Sequence, residues 1–142
     1  MGYDVEQISS SFRLIHARRK AARDAVYAVM LSNPEYQRAF QGRIHPTSLL
    51  TDLLLRCGWE TAEDADDTGD VIDLRLNGSR LNALQVDALV ALAPYVDDGS
   101  TLVFRVEEGG QWRYRFSHGR VFEDRACVEI TWPPGEQLYA SV

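Results

Sequence analysis

The sequence predicts an α+β fold, with N-terminal helices packed on a small, mainly antiparallel sheet in the order α-α-α-β-α-β-β-β. Three observations carry this. An apolar stripe of helical spacing runs through residues 4–31, a leucine-rich run stops at Gly58, and residues 71–132 alternate in strand fashion around a single helical stretch. The 142 residues suit one domain. It divides into a helical part (1–58), an acidic connector (59–70), a β-α-β-β-β unit (71–132) and a tail (133–142).

In the first helix, Val5, Ile8, Phe12, Ile15, Arg19, Ala22, Val26 and Val29 recur with alternating steps of three and four, a heptad-like stripe with Arg19 in its middle. Arg13, His16, Arg18, Arg19, Lys20 and Arg23 make the same stretch basic. They point around the helix rather than along one face, which weakens a phosphate-tracking reading. Ala17, Ala21, Ala25 and Ala28 form a small-residue side open to a second helix, and a homodimer through this helix is one expectation.

Asn33-Pro34 closes the first helix and opens a short second one, with Asn33 as N-cap and proline in the first turn. His45-Pro46-Thr47-Ser48 starts a third, rich in Leu49, Leu50, Leu53, Leu54 and Leu55 and ended by Gly58, with Trp59 folding back over it. Residues 60–73 then carry seven acids and no base. Asp64, Asp66, Thr68 and Gly69 fit the first positions of a calcium loop, but Arg75 occupies the position that needs a bidentate acid. The stretch reads as a solvated acidic connector facing the basic helix, with neither metal nor cofactor expected.

Val71–Leu76 alternates as a strand, Asn77-Gly78 turns the chain, and Asn82 is an N-cap for a helix ending before Pro94. The final strands form a meander. Pairing apolar with apolar sets Phe104 opposite Tyr114 and Val106 opposite Trp112, with Glu108-Gly109-Gly110 as a three-residue loop. The same logic leaves Ser117-His118-Gly119 as the next loop and puts Tyr114 beside Phe122. One face is then aromatic, and the other carries Arg105 across from Arg113, with Arg115 and Glu123.

Gly69 to Val121, with GDVIDLRLNG, LAPYVDDGS and EEGGQWRYRFSHGRV, resembles the C-terminal part of small uncharacterised bacterial and phage proteins. The resemblance implies a setting in phage or mobile-element biology and no particular chemistry.

A net charge of −6 argues against bulk affinity for nucleic acid or anionic membranes. Cys57 and Cys127 match neither a metal spacing nor a disulfide framework and read as reduced thiols. The N-terminus lacks signal-peptide character and no window reaches the ~20 apolar residues of a membrane span, so a cytoplasmic protein is expected. His16, His45 and His118 stand apart from any nucleophile motif, and no catalytic residue is assigned.

The expectation is therefore a non-enzymatic protein that binds another protein. Its candidate contact residues are Arg13, Arg19 and Arg23 on the first helix and Arg105, Arg113 and Arg115 on the sheet. The alternative is a ligand or enzymatic pocket under a curved sheet, lined by Trp112, Tyr114, Phe116 and Trp132 with Asp124 inside. Nucleic-acid binding through the basic helix is the lesser alternative.

Overall fold

A strand comes first. In the computed structural model, which describes residues 4–107, 109–126 and 131–139, β1 (Val5–Ser11) leads through a 3₁₀ turn into α1 (Arg19–Ser32). There follow α2 (Pro34–Phe40), α3 (Leu50–Cys57), β2 (Trp59–Glu63), β3 (Val71–Leu76) and α4 (Ala83–Leu92). Three strands of a meander, β4 (Thr101–Val106), β5 (Gln111–Ser117) and β6 (Arg120–Arg125), precede the two-residue β7 (Glu136–Gln137). The α+β class holds; the order does not.

The long first helix is the main correction. Val5, Glu6 and Gln7 alternate in burial as a strand does, and Ile8 bulges out of the ladder between Gln7 and Ser9. Three consecutive serines are poor helix formers, and the sheet takes this segment as an edge partner for β4. Arg19 consequently opens α1 instead of interrupting its stripe. The face α1 buries is Ala22, Val26 and Met30, and Ala17, Ala21 and Ala28 remain exposed.

The acidic connector is likewise half strand. Trp59 is fully buried, and β2 pairs antiparallel with β3, Trp59 opposite Leu76 and Thr61 opposite Leu74. This pair forms its own two-stranded sheet beside β1. Val5 N–H reaches Ser79 O (2.7 Å), and Leu14 and Val71 exchange two backbone bonds (2.8 and 2.9 Å). Between those points the Gln7 amide replaces the ladder: Nε2 donates to Leu74 O (2.8 Å) and Oε1 accepts from Leu76 N–H (2.5 Å).

The larger sheet is antiparallel with order β1-β4-β5-β6-β7. Both predicted registers slip. Leu102 faces Tyr114 and Phe104 faces Trp112, two residues from expectation, so the faces survive but Arg105 lies opposite Gln111 rather than Arg113. Between β5 and β6 the slip is one residue: Phe116 faces Val121 and Tyr114 faces Glu123. The turn there is the two-residue His118-Gly119, both at positive φ (54° and 77°), the left-handed pair a tight hairpin requires. The last strand ends at Arg125, and residues 127–130, including Cys127, lie outside the described residues. The tail is not free either, since β7 pairs with β6.

Helices α1, α3 and α4 cover one face of the sheet. Phe12, Leu102, Phe104, Trp112, Tyr114, Phe116 and Val121 meet Val26, Met30, Leu53, Leu54, Leu89 and Leu92 in one core, each fully buried aliphatic contributing about 1.5–3 kcal/mol. The predicted caps hold. Asn33 Oδ1 accepts from Glu35 N–H, and Asn82 and Gln85 close a reciprocal box worth about 1 kcal/mol. α3 ends at Gly58 in the left-handed region (φ 103°), and a Cβ there would sit 2.4 Å from Gln85 Nε2, which donates to Gly58 O. The Trp59 indole N–H donates to Gln85 O (3.1 Å), seating that ring over the α3–α4 junction. No helix among the described residues is long and apolar enough to cross a membrane.

Candidate functional site

The six candidate arginines do not form one surface. Arg19 and Arg23 lie on α1, Arg13 falls in the link between β1 and the 3₁₀ turn rather than on a helix, and the other three stand on the sheet; all six are engaged within the chain. Arg13 Nη1 reaches Asp70 (2.6 Å) and Asp64 (3.5 Å), and Arg19 Nη1 reaches Glu63 and Gly69 O (both 3.0 Å). The acidic stretch therefore faces the basic one, as its composition suggests. Asp70 also accepts from His16 N–H (2.8 Å), and that bond, with Arg13, holds its carboxyl below the usual range.

On the sheet, Arg105 pairs with the exposed Glu6 across β1 and β4. Arg113 and Arg115 both converge on Asp124, which has no accessible surface. Arg113 Nε and Arg115 Nε each donate to Oδ2 at 2.8 Å, and Arg115 Nη2 and Gly135 N–H donate to Oδ1 at 3.2 and 2.9 Å. Trp132 stacks on the Arg113 guanidinium (4.7 Å) and Phe122 on that of Arg115 (4.6 Å). Burial alone would raise the Asp124 pKa, but the arginine hydrogen bonds outweigh it and hold the group below the normal carboxylate range. Arg113, Arg115 and Asp124 thus form a closed ion cluster beside the 131–139 segment, with Arg105 outside it.

The predicted pocket is also divided. Trp112, Tyr114 and Phe116 are core: Phe104 stacks on Trp112 (5.5 Å), meets Tyr114 edge-on (5.6 Å), and Phe12 does the same to Phe116 (5.9 Å). Burial pushes the Tyr114 hydroxyl to about 12. Asp124 and Trp132 stand on the opposite side of the sheet, because the one-residue slip in the β5–β6 register put Asp124 on the arginine face. Ser117 Oγ lies 2.8 Å from His118 Nδ1 in the exposed turn, and Asp98 Oδ1 accepts from the backbone N–H of His118 (2.8 Å).

A different feature remains, one that sequence reasoning passed over. An open groove of about 620 Å³ runs between the first half of α1 and the loop before α3, lined by Arg19, Lys20, Arg23, Pro46, Leu49 and Leu50 among others. Arg23 builds its wall: the guanidinium donates to Ser48 O (2.7 Å), His45 O (3.0 Å) and Pro46 O, and stacks on Tyr27 (4.7 Å). That grip presents Leu49, whose surface is 63% exposed, at the N-cap position of α3. No side chain caps this helix, because leucine has no acceptor to offer, and Ser48 Oγ, one residue earlier, accepts from His45 N–H (2.9 Å).

Leu49 thus breaks two local rules at once, a large aliphatic in water and an apolar residue where Ser, Thr, Asp or Asn is favoured. The signal was in the sequence. Leu50, Leu53, Leu54 and Cys57 complete the buried stripe of α3 at helical spacing, which leaves Leu49 and Leu55 off it, and Leu55 is 51% exposed. The helical segment that carries the groove is cationic, although the acidic stretch meets it at Arg19. Residues 16–58 hold seven Arg and Lys against three Asp and Glu, a net of +4 in a chain whose total is −6. Compared with protein-family models, curated proteins and solved structures, the chain matches none.

Proposed function

We propose that this is a non-enzymatic binding protein that engages another protein through its helical face, centred on Leu49 in the groove beside α1. The supporting observation is that single residue: an exposed leucine at an uncapped helix start sacrifices stability locally, as residues retained for contact do. Leu55 is likewise exposed, in a neighbouring groove with Arg43 and Arg56. The setting we propose is phage or mobile-element biology, on the resemblance of residues 69–121, and a cytoplasmic one, with which the free, buried Cys57 accords.

The test is a photo-crosslinking residue at the exposed Thr47, introduced in cells that carry the native partner complement. A discrete adduct that disappears on Leu49→Asp supports the reading. An adduct indifferent to Leu49→Asp, or none, rejects it. Misfolding does not confuse the result, since Leu49→Asp supplies the missing N-cap and is expected to raise stability by about 1 kcal/mol.

A further inference from the structure

We infer that the segment this face takes is an acidic amphipathic helix; the inference rests on the protein-binding reading of the Leu49 groove and specifies its partner. The geometry selects a helix. The groove is walled by α1 on one side and by the Pro46–Leu50 segment on the other, and the carbonyls of His45, Pro46 and Ser48 are already taken by Arg23. An extended strand would find no ladder to join, so the occupant must arrive with its backbone bonds satisfied. Leu49 and Leu50 offer an apolar floor for side chains spaced along one helical face.

Charge complementarity selects the acid. Arg19, Lys20 and Arg23 line the groove with Asp24, Glu63 pairs with Arg19 outside the lining, and the neighbouring groove adds Arg43 and Arg56 against Asp52, which leaves cations in excess. The Lys20 side chain is 91% exposed, and its pairing with the half-exposed Asp24 is long at 3.9 Å. The same chemistry disfavours a nucleic-acid strand. Phosphate tracking needs a series of unengaged cations, and here Arg19 is held by Glu63 and Gly69 O while Arg23 is consumed by the loop. Glutamates on an amphipathic helix need only a favourable potential at the rim while leucine-class residues fill the groove.

Fluorescence anisotropy on the full chain tests this with three labelled probes: a Glu/Leu amphipathic peptide of about 18 residues, five helical turns, its Lys/Leu counterpart, and a single-stranded DNA oligonucleotide. The Glu/Leu peptide is expected to bind at least about tenfold tighter than the Lys/Leu peptide, and to weaken as salt shortens the screening length from ~10 Å toward ~3 Å. Leu49→Asp should abolish binding, Lys20→Glu weaken it about three- to tenfold, and Lys20→Arg preserve it. Equal binding of both peptides would overturn the acidic preference. DNA binding sensitive to Lys20→Glu but not to Leu49→Asp would overturn the peptide in favour of a strand. A concentration-dependent rise in mass that Leu49→Asp removes, with no peptide bound, would assign the groove to a second copy. Failure of all three probes while the Thr47 adduct still forms would sink the acidic helix and leave the face; loss of the adduct as well would sink both.

Discussion

Arg115 grips Asp124 with two hydrogen bonds, Nε to Oδ2 at 2.8 Å and Nη2 to Oδ1 at 3.2 Å, while Arg113 adds a third from the neighbouring residue of the same strand face. One buried carboxylate thereby bridges a pair of arginines that would otherwise repel each other along β5. The cluster locks the outer face of the sheet to the C-terminal segment through Gly135.

Asp124→Asn should therefore lower stability at neutral pH by about 3 kcal/mol, because it leaves two arginines without their common anion. The pH dependence follows from the lowered Asp124 pKa. Its contribution is fully present above the unfolded carboxyl value of about 3.9 and is lost as pH falls from there through the lower folded value. Urea titrations of both proteins between neutral pH and the acid range read this directly; parallel curves would contradict the cluster's role.

Gly135 lies against the backbone of β6. A Cβ there would sit 1.7 Å from Glu123 O and 2.8 Å from Asp124 Cα, atoms that cannot step aside. Gly135→Ala is expected to detach the segment, costing about 2 kcal/mol or more. Hydrogen exchange at Leu138 N–H, now bonded to Val121 O (2.9 Å), should rise toward that of an open amide. Retained protection would show that the segment is held elsewhere.

Gln7→Glu keeps the acceptor for Leu76 N–H and removes the donor to Leu74 O, setting a carboxylate against a carbonyl. The expected loss is about 1–3 kcal/mol, the cost of an unsatisfied polar group, and Gln7→Ala should lose both bonds. Thermal unfolding measures the losses, with Ile8→Ala, at the neighbouring bulged residue, as a milder control.

Burial pushes the Cys57 thiol to about 12, against an unfolded value near ~8.5. The native thiol should resist alkylation at pH values where free cysteine reacts. Its stabilising effect is complete below pH ~8.5 and declines by up to about 1.4 kcal/mol per pH unit above it. Tyr36 and Tyr114, also raised to about 12, add to the decline only from about pH 10 upward. Cys57→Ala should flatten the curve between those limits; an unchanged slope would place its origin elsewhere.

Local chemistry was readable where a residue's own conformation decides the outcome. Asn33 and Asn82 cap because their short side chains reach the first-turn N–H groups, and Gly58 ends α3 because it tolerates φ 103°. Alternation likewise separated the aromatic from the arginine face of β5. The composition of residues 60–73 announced an acidic stretch opposite a basic one, and Arg13 and Arg19 meet it. What alternation cannot resolve is registry. Phe104 packs as well beside Trp112 as beside Tyr114, and only closure of the His118-Gly119 turn placed Asp124 among the arginines.

The remaining decisions belong to contacts distant in sequence. Residues 5–11 have a heptad-compatible spacing, yet β4 and the Gln7 bridge to β3 make them a strand, since pairing across about a hundred residues outweighs a weak local preference. All six candidate arginines looked available in the sequence, and folding gave each an internal partner. Helical spacing set Leu49 off the buried stripe of α3, but did not decide what would surround it. It stands in water because Arg23, twenty-six positions earlier, holds the carbonyls of the loop that carries it. The chain alone settled its caps, stops and apolar faces through short-range sterics and hydrogen bonding; which charges were cancelled and which leucine was left exposed depended on partners that only the folded chain brings together.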